Sequence, residues 1–547
     1  MEVIVKYSTS FEELVSNLRA NTGILSEEDL GQGFAIIVID SEDIDNLYDI
    51  PAVEDIELPK DIFLNDSFSM TSSCIRSAQS ENGFGLTGQG VIVGIIDTGL
   101  DYTHPDFRTY DGKTRILSFW DQSGNGDPPE GFSFGSEYTK EDIDLALSLS
   151  NPTEIIPPLD INGHGTAVAG IAAGGGMTDI NNKGAAPDAD IVAVRIAPSS
   201  SEFARSTELM RGLRYVINKA KLFREPAVIN ISYGMNEGAH KGDSLFEEYI
   251  SAVSSEWKLS IIVPTGNEGG AGHHYSGSIA NGETKNIDFF TASGITEFYI
   301  SMWKNFSDSI SAELILPSGF KTGIINPSAS VTSFRTGDLN ITAVYTQPTR
   351  YSVSQEIYFN IRSEEGFIPA GVWTLRLQAG MIVDGNFDIW LPTAEEVTTG
   401  TYFNSPDNFN TLTIPSTARK IIRVSGYNDR LGNIAEFSGR GTENPELIIP
   451  DIAAPAVNIT APRIGGGYDV FTGTSFAAPF VTGSAALMME WGIVQRNSPF
   501  LYGERIKAYL RLGAKRSERT DYPNAAFGYG RLCLNTSLNI LSGRVNV

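Results

Sequence analysis

The sequence predicts an α/β fold, a parallel sheet with helices on both faces, preceded by a small α+β unit and interrupted by an antiparallel β sandwich. Three observations carry this reading. Continuous apolar runs such as residues 90–97 (GVIVGIID) are the mark of strands buried on both faces of a parallel sheet. Amphipathic helical stretches such as residues 207–222 separate those runs, and regular strand–helix alternation argues for a doubly wound arrangement. Between about residues 281 and 392 the helical period vanishes and polar and apolar residues alternate at period two, as in a sandwich.

Taken in order, residues 3–7, 11–18, 34–39, 44–48 and 53–58 read as β-α-β-α-β, a small N-terminal unit. The polar stretch 65–73 (NDSFSMTSS) has few large apolar anchors and reads as an exposed linker that a protease could enter. Buried strands follow at 90–97, 191–196, 228–231 and 261–263. The sandwich strands are 298–303, 339–345, 357–362, 372–378 and 387–392; after them come IIRVSGY, a small-residue helix beginning at Ser475 and a last helix near 504–512. The expected domains are 1–66, 67–280, 281–398 and 399–547, the second and fourth being two parts of one catalytic domain.

Composition excludes several classes of function. With 40 basic and 66 acidic residues the net charge is -26, which repels nucleic acid and anionic lipid alike. No run approaches the roughly 18 consecutive apolar residues of a membrane span. The N-terminus carries acids early and shows no secretion signal, so synthesis in the cytoplasm is expected. Two cysteines in 547 residues, Cys74 and Cys533, suggest neither a disulfide framework nor a metal cluster, and a reducing compartment fits them. Cys533 has no histidine or cationic context in sequence that would make a catalytic thiol.

Four residues point to one chemistry. Asp97 ends the first buried strand and brings a carboxylate to the carboxyl edge of the sheet, though such a residue is as often a turn former or cap. His164 lies in DINGHGTAVAGIAAGGG, framed by glycines, whereas His104, His240, His273 and His274 lie in loop-like contexts. Ser475, in GTSFAAP, opens a helix whose positive end favours nearby negative charge; alone it would be an ordinary N-cap. Together, a carboxylate, an imidazole and a hydroxyl are the parts of an activated serine nucleophile. Asn267, in PTGNEGG after a buried strand, supplies a side-chain amide that could stabilise the oxyanion formed when Ser475 attacks a carbonyl.

DTG around Asp97, GHGTAVAG around His164, INISYG around Ser232, PTGNEG around Asn267 and GTSFAAP around Ser475 resemble the motifs of subtilases, in that family's order Asp, His, Ser. The resemblance covers about residues 85–277 and 411 to the end. It implies a subtilisin-like serine endopeptidase, with Asp97, His164 and Ser475 as triad and Asn267 as oxyanion donor. It further implies substrate-binding residues Ser232, Tyr233 and Gly234, pairing with the peptide backbone, and Pro264, Thr265 and Gly266, lining the pocket for the residue before the scissile bond. The long insert and the N-terminal unit without a secretion signal are similar to the clostridial spore-germination (Csp-type) subtilases. That likeness implies a jelly-roll insert, a cleaved propeptide kept bound in the cleft, and, for the active member, activation of a cortex-lytic hydrolase zymogen from a place in the spore. Self-cleavage is then expected among residues 64–71, with Asn65, Asp66, Ser67, Phe68 and Ser69 as the cleavage region. The competing expectation is a catalytically silent signalling or scaffold protein whose propeptide blocks the cleft. No metal or cofactor is called for; calcium at Asp101, Asp106 and Asp188 stays open, because no ligand loop has a recognisable spacing.

Overall fold

The computed structural model describes residues 2–40, 43–57, 68–197, 205–325, 331–350, 352–397, 400–444 and 449–544. The chain forms two compact units, Met1–Asp66 and Ser67–Val547.

In the first unit, strands β1 (Glu2–Tyr7), β2 (Ile24–Gly31), β3 (Phe34–Ile39) and β4 (Val53–Glu57) pair antiparallel in the order β2-β3-β1-β4, with helix α1 (Phe11–Asn21) after β1. The Ser10 hydroxyl accepts from the Glu13 amide at the start of α1, and Leu14 and Leu18 join Val3, Val5 and Ile37 in one core. Two details differ from the sequence reading. Strand β2, ILSEEDLG, was not anticipated because it is an acidic, mostly exposed edge strand with no apolar alternation to give it away. Residues expected as a second helix form a single 3-10 turn, Asp45–Asp49.

The second unit opens with two short helices, α2 (Phe68–Ser72) and α3 (Ile75–Gln79). There follow β5 (Ile92–Asp97), β6 (Ile116–Asp121), β7 (Ser136–Thr139), α4 (Lys140–Leu147), α5 (His164–Ala173), β8 (Asp190–Arg195), α6 (Ser206–Phe223), β9 (Ala227–Ile231), α7 (Leu245–Val253) and β10 (Leu259–Pro264). Ten strands then form antiparallel sheets: β11 (His274–Ser278), β12 (Thr284–Thr291), β13 (Glu297–Asn305), β14 (Ile310–Ile315), β15 (Val331–Thr336), β16 (Leu339–Tyr345), β17 (Ser354–Ser363), β18 (Gly371–Ala379), β19 (Asn386–Trp390) and β20 (Tyr402–Phe403). The chain returns through β21 (Ile422–Tyr427), β22 (Ile452–Pro455), the hairpin β23 (Ile459–Pro462) and β24 (Tyr468–Phe471), and helices α8 (Ala478–Met489), α9 (Glu504–Leu512) and α10 (Leu534–Leu541).

The main sheet has the order β22-β21-β10-β9-β5-β8-β6-β7 and is parallel except for the edge pair β6–β7. Alternation along β5 shows why both faces need cover. Val93 and Ile95 pack with the small residues of α5 and α8, while Ile92 and Ile96 pack with α6 and α7. Helix α8 is buried all round, which explains its lack of a polar face. The helical stretch Thr474–Val494 is long and apolar enough to cross a membrane by composition, but 89% of its 18-residue apolar window is buried in the protein, as expected of a core helix.

The antiparallel strands make a six-stranded sheet, β11-β19-β13-β17-β16-β15, and a four-stranded one, β14-β18-β12-β20, around a common core. These sheets begin at His274 and end at Phe403, a little outside the 281–398 expected from period-two alternation. Trp390, at the end of β19, is 1% exposed. Its ring stacks on His240 at 4.1 Å and on His274 at 4.9 Å, and its indole N–H donates to the Asn410 carbonyl, so it belongs to the packed interior.

The described part of the segment expected to be an exposed linker is partly packed: Met70, Ser73 and Ile75 are buried, Phe68, Ser69 and Ser72 are half-buried, and Thr71 is exposed. Asn65, Asp66 and Ser67 of the expected cleavage region lie outside the described residues; Phe68 and Ser69 open α2. The two cysteines are also corrected. Cys74 and Cys533, 459 residues apart, form a disulfide with a Cα–Cα distance of 4.8 Å. Sequence separation hid the pairing; α10 packs against α3 and brings the thiols together. The bond ties the start of the second unit to its last helix. Cys533→Ser should lower stability by about 2–4 kcal/mol in denaturant unfolding, and thiol titration of the unfolded, unreduced protein should find no free thiol; two titrating thiols would contradict the structure.

Candidate active site

Asp97 is the last residue of β5 and His164 the first of α5. Asp97 is fully buried. Its Oδ1 accepts from the Thr98 amide at 2.7 Å and lies 2.7 Å from His164 Nδ1. This places the proton of the neutral imidazole on Nδ1 and leaves Nε2 as the basic nitrogen. Gly165 makes the approach possible, since a Cβ there would stand 2.1 Å from the Gly99 carbonyl oxygen and 3.0 Å from Asp97 Cβ.

Asp160 holds the helix start. Its carboxylate is buried and accepts from the amides of Asn162, Gly163 and Thr166 and from the Thr166 and Thr98 hydroxyls. It therefore satisfies donors that a helix N-terminus otherwise leaves unpaired and puts negative charge at the positive end of the dipole. Asp160 was not singled out from sequence; an acid four residues before His164 was the available signal.

Ser475 lies in the 3-10 turn Thr474–Phe476, and α8 begins at Ala478, slightly later than expected. The Phe476 ring packs on His164 with centroids 5.1 Å apart, which brings the neighbouring serine to the imidazole's side of the sheet. Ser475 Oγ and His164 are not hydrogen-bonded to each other, and nucleophile–base bonds are often longer before substrate binds. Asn267 is fixed by its oxygen, which accepts from both the amide and the hydroxyl of Thr474 at 3.0 Å. Its amide nitrogen is thereby left to donate into the recess beside Ser475.

That recess is lined by Ser475, Asn267, Ser232, Tyr233, Gly234, Pro264 and Gly266, and also by Glu268, Thr393, Glu395 and Thr413. A buried asparagine sets its near wall: Asn230 donates to Ser232 Oγ and accepts from Thr482 of α8. Gly266 has φ +85°, and a Cβ would fall 2.4 Å from Thr413, so a side chain there would push into the wall. Thr265 is the exception among the expected residues. It is buried, its amide donates to the Val424 carbonyl, its own carbonyl accepts from Thr413, and its hydroxyl faces Ser438. Glu395 was not anticipated; it comes from the segment after β19, and nothing in TAEEV announces it. Glu268, also unanticipated, is locked by His273 and the Ala394 amide.

Asp101 and Asp106, for which calcium stays open, accept hydrogen bonds from Thr103, Gly465, Met177 and Tyr468, and no group of three or more His, Cys, Asp or Glu side chains that could hold a metal occurs among the described residues.

An imidazole held by a buried carboxylate, a hydroxyl near the head of a helix and an aligned amide, at the carboxyl edge of a parallel sheet, define a serine-hydrolase type of site. Residues 88–355 and 384–530 match the Subtilase family, and residues 1–60 match the Csp protease B prodomain. The chain belongs to the subtilase family. It is similar to the solved structure of the Clostridium perfringens CspB protease, with 38% identity and a TM-score of 0.80, covering 87% of this chain and 98% of that one. It is 23% identical over 549 residues to the PII-type proteinase of Lacticaseibacillus paracasei, covering 89% of this chain and 27% of the relative. Against the minor extracellular protease Vpr of Bacillus subtilis (strain 168) it is 23% identical over 471 residues, covering 82% and 51%. The chain thus spans between about a quarter and a half of the length of these curated relatives.

Burial pushes the His164 imidazole down, but the charge and hydrogen bond of Asp97, with the charges of Glu395 and Asp160, outweigh it and hold its pKa above the ordinary 6.5. The neutral, basic form is therefore lost as pH falls through that raised value. NMR titration of His164 should give a pKa above 6.5 in the wild type and below it in Asp97→Asn, where burial is left with less opposition. An unchanged value in the variant would contradict the assigned cause.

Proposed function

We propose that the chain is a serine endopeptidase that cleaves peptide bonds through an acyl-enzyme on Ser475. The observation that carries the proposal is the 2.7 Å Asp97–His164 pair at the sheet edge that also gathers Ser475 and Asn267. In the proposed cycle Ser475 Oγ attacks the scissile carbonyl as His164 Nε2 takes its proton, and Asp97 stabilises the resulting imidazolium. Negative charge on the carbonyl oxygen falls between Asn267 Nδ2 and the Ser475 amide. His164 returns the proton to the leaving amine, and water then hydrolyses the ester by the reverse sequence. Residues 232–234, where the chain leaves β9, would carry the peptide beside the nucleophile, with Pro264 and Gly266 facing its side chain.

Residues 1–66 are, in this proposal, a propeptide removed by self-cleavage and kept in the cleft. Support comes from the prodomain match over residues 1–60, and the cut is expected among residues 64–71. The finer reading, carried by the likeness to Csp-type proteases and not by geometry, is that the enzyme activates a cortex-lytic hydrolase zymogen during spore germination. It would be made in the cytoplasm and packaged in the spore; the Cys74–Cys533 bond then needs an oxidising stage after synthesis.

The missing hydrogen bond between Ser475 and His164 is what a silent scaffold would also show, so the decisive test separates the two. Mass spectrometry should find wild-type protein cut among residues 64–71 and labelled on Ser475 by a fluorophosphonate, and Ser475→Ala neither cut nor labelled. Uncut, unlabelled wild type would refute the proposal. Asn267→Ala should lower kcat by roughly 100- to 1000-fold with little change in KM, a scale taken over from a subtilisin's oxyanion asparagine; a loss confined to KM would remove Asn267 from that role.

A further inference from the structure

A second cavity of about 390 Å³ lies where β13 and β17 of the insert face the segments that follow β9 and β19. Its wall carries three carboxylates, Glu237, Glu297 and Glu396, against one guanidinium, that of Arg205. Asn360 donates to Glu297, and the amide and hydroxyl of Thr393 donate to Glu396, so two of the acids are held in place. Glu237 and Glu396 both sit above the ordinary carboxylate range, chiefly through burial; the charge of Glu396 adds to this at Glu237, while at Glu396 the Thr393 hydrogen bonds oppose it and the charges of Glu268 and Glu395 add to it. A field of this sign rejects anions.

An independent feature also points to a ligand. Tyr299 is 8% exposed and lines the cavity, yet its hydroxyl has no hydrogen-bond partner among the described residues. Buried polar groups are normally paired, and leaving one unmade costs free energy. The Tyr299 ring stacks on Tyr358 with centroids 5.7 Å apart and planes 24° apart. Carboxylates, a phenol oxygen and stacked aromatic rings in one pocket match a group that only donates hydrogen bonds and carries positive charge, because lysine and arginine heads have no acceptor and interact favourably with ring faces.

The cavity adjoins the nucleophile's recess through a shared segment. Thr393 and Glu395 line the recess, while Pro392 and Glu396 line the cavity; Glu237 follows Gly234 of the recess by three residues. The two hollows therefore share the wall formed by residues 392–396. We propose that the cavity is a second specificity subsite, which takes a guanidinium or alkylammonium side chain of the polypeptide substrate and so sets the register in which a peptide bond meets Ser475. This rests on the endopeptidase reading given above.

The test uses the full, self-processed chain and a positional-scanning peptide library read by mass spectrometry. Wild type should prefer Arg or Lys over Gln at one fixed position flanking the cut, by about tenfold in kcat/KM. Glu237→Gln/Glu396→Gln should remove most of that preference, and Tyr299→Phe should weaken it. Fluorophosphonate labelling of Ser475 should stay at the wild-type rate in both variants, which shows that they fold with an intact nucleophile. Absence of a basic preference in labelled wild type, or its persistence in the double variant, would overturn the subsite. Calorimetric binding of free agmatine that the double variant abolishes, without any basic preference in peptides, would overturn it in favour of a small-cation site. Wild type that neither labels nor cuts any peptide would overturn the endopeptidase reading itself, and this inference with it.

Discussion

The carboxylate of Asp160 fixes where helix α5 begins, and the reactive geometry follows from that. It takes the Asn162, Gly163 and Thr166 amides and the Thr166 and Thr98 hydroxyls, so the first turn of the helix cannot shift without leaving buried donors unpaired, at about 1–3 kcal/mol each. Thr98 also receives the Gly165 amide and follows Asp97 directly. One network therefore locks the end of β5 to the head of α5, and the imidazole has little choice but to meet the Asp97 carboxylate. Asn267 and Thr474 repeat the device on the other side, where a side-chain oxygen fixes a turn and leaves the amide nitrogen free at the recess that Ser475 also lines.

The antiparallel insert does more than decorate this frame. Trp390 is held between His240, from the segment after β9, and His274, at the start of β11, and Asn236 donates to both Glu268 and the Leu391 carbonyl. The segment after β19 is thus pinned against the chain that leaves β9. Glu395, in that segment, reaches the recess and raises the His164 pKa. The insert consequently adds charge to a site whose catalytic groups all come from the α/β core.

Much of this was legible because local pattern and tertiary role coincide. The run at 90–97 is apolar throughout because β5 is covered on both faces, and a strand of that kind ends where a parallel sheet presents its sites. The glycines around His164 could be read as demands for close approach, and Gly165 meets one. What escaped reading was set by contacts distant in sequence. The Cys74–Cys533 pair, the locking of Thr265 beneath the recess and the reach of Glu395 depend on segments that meet only in the fold. Strand β2 escaped because edge exposure erased its alternation, and α2 because a polar segment gained its anchors, Met70 and Ile75, from the core it joins. Asp160 lay in plain view, but an acid before a helix is common, and only its five donors distinguish it.

The central claim is that hydroxyl, imidazole and carboxylate act on a peptide carbonyl as one unit, with Asn267 facing the developing charge. The most direct measurement is a crystal structure of the self-processed chain soaked with a peptide boronate. The account predicts a tetrahedral boron on Ser475 Oγ, one boronate oxygen within hydrogen-bonding distance of Asn267 Nδ2, and another group on boron within reach of His164 Nε2. Unmodified Ser475 in an open recess, or an adduct with Asn267 turned away, would contradict it.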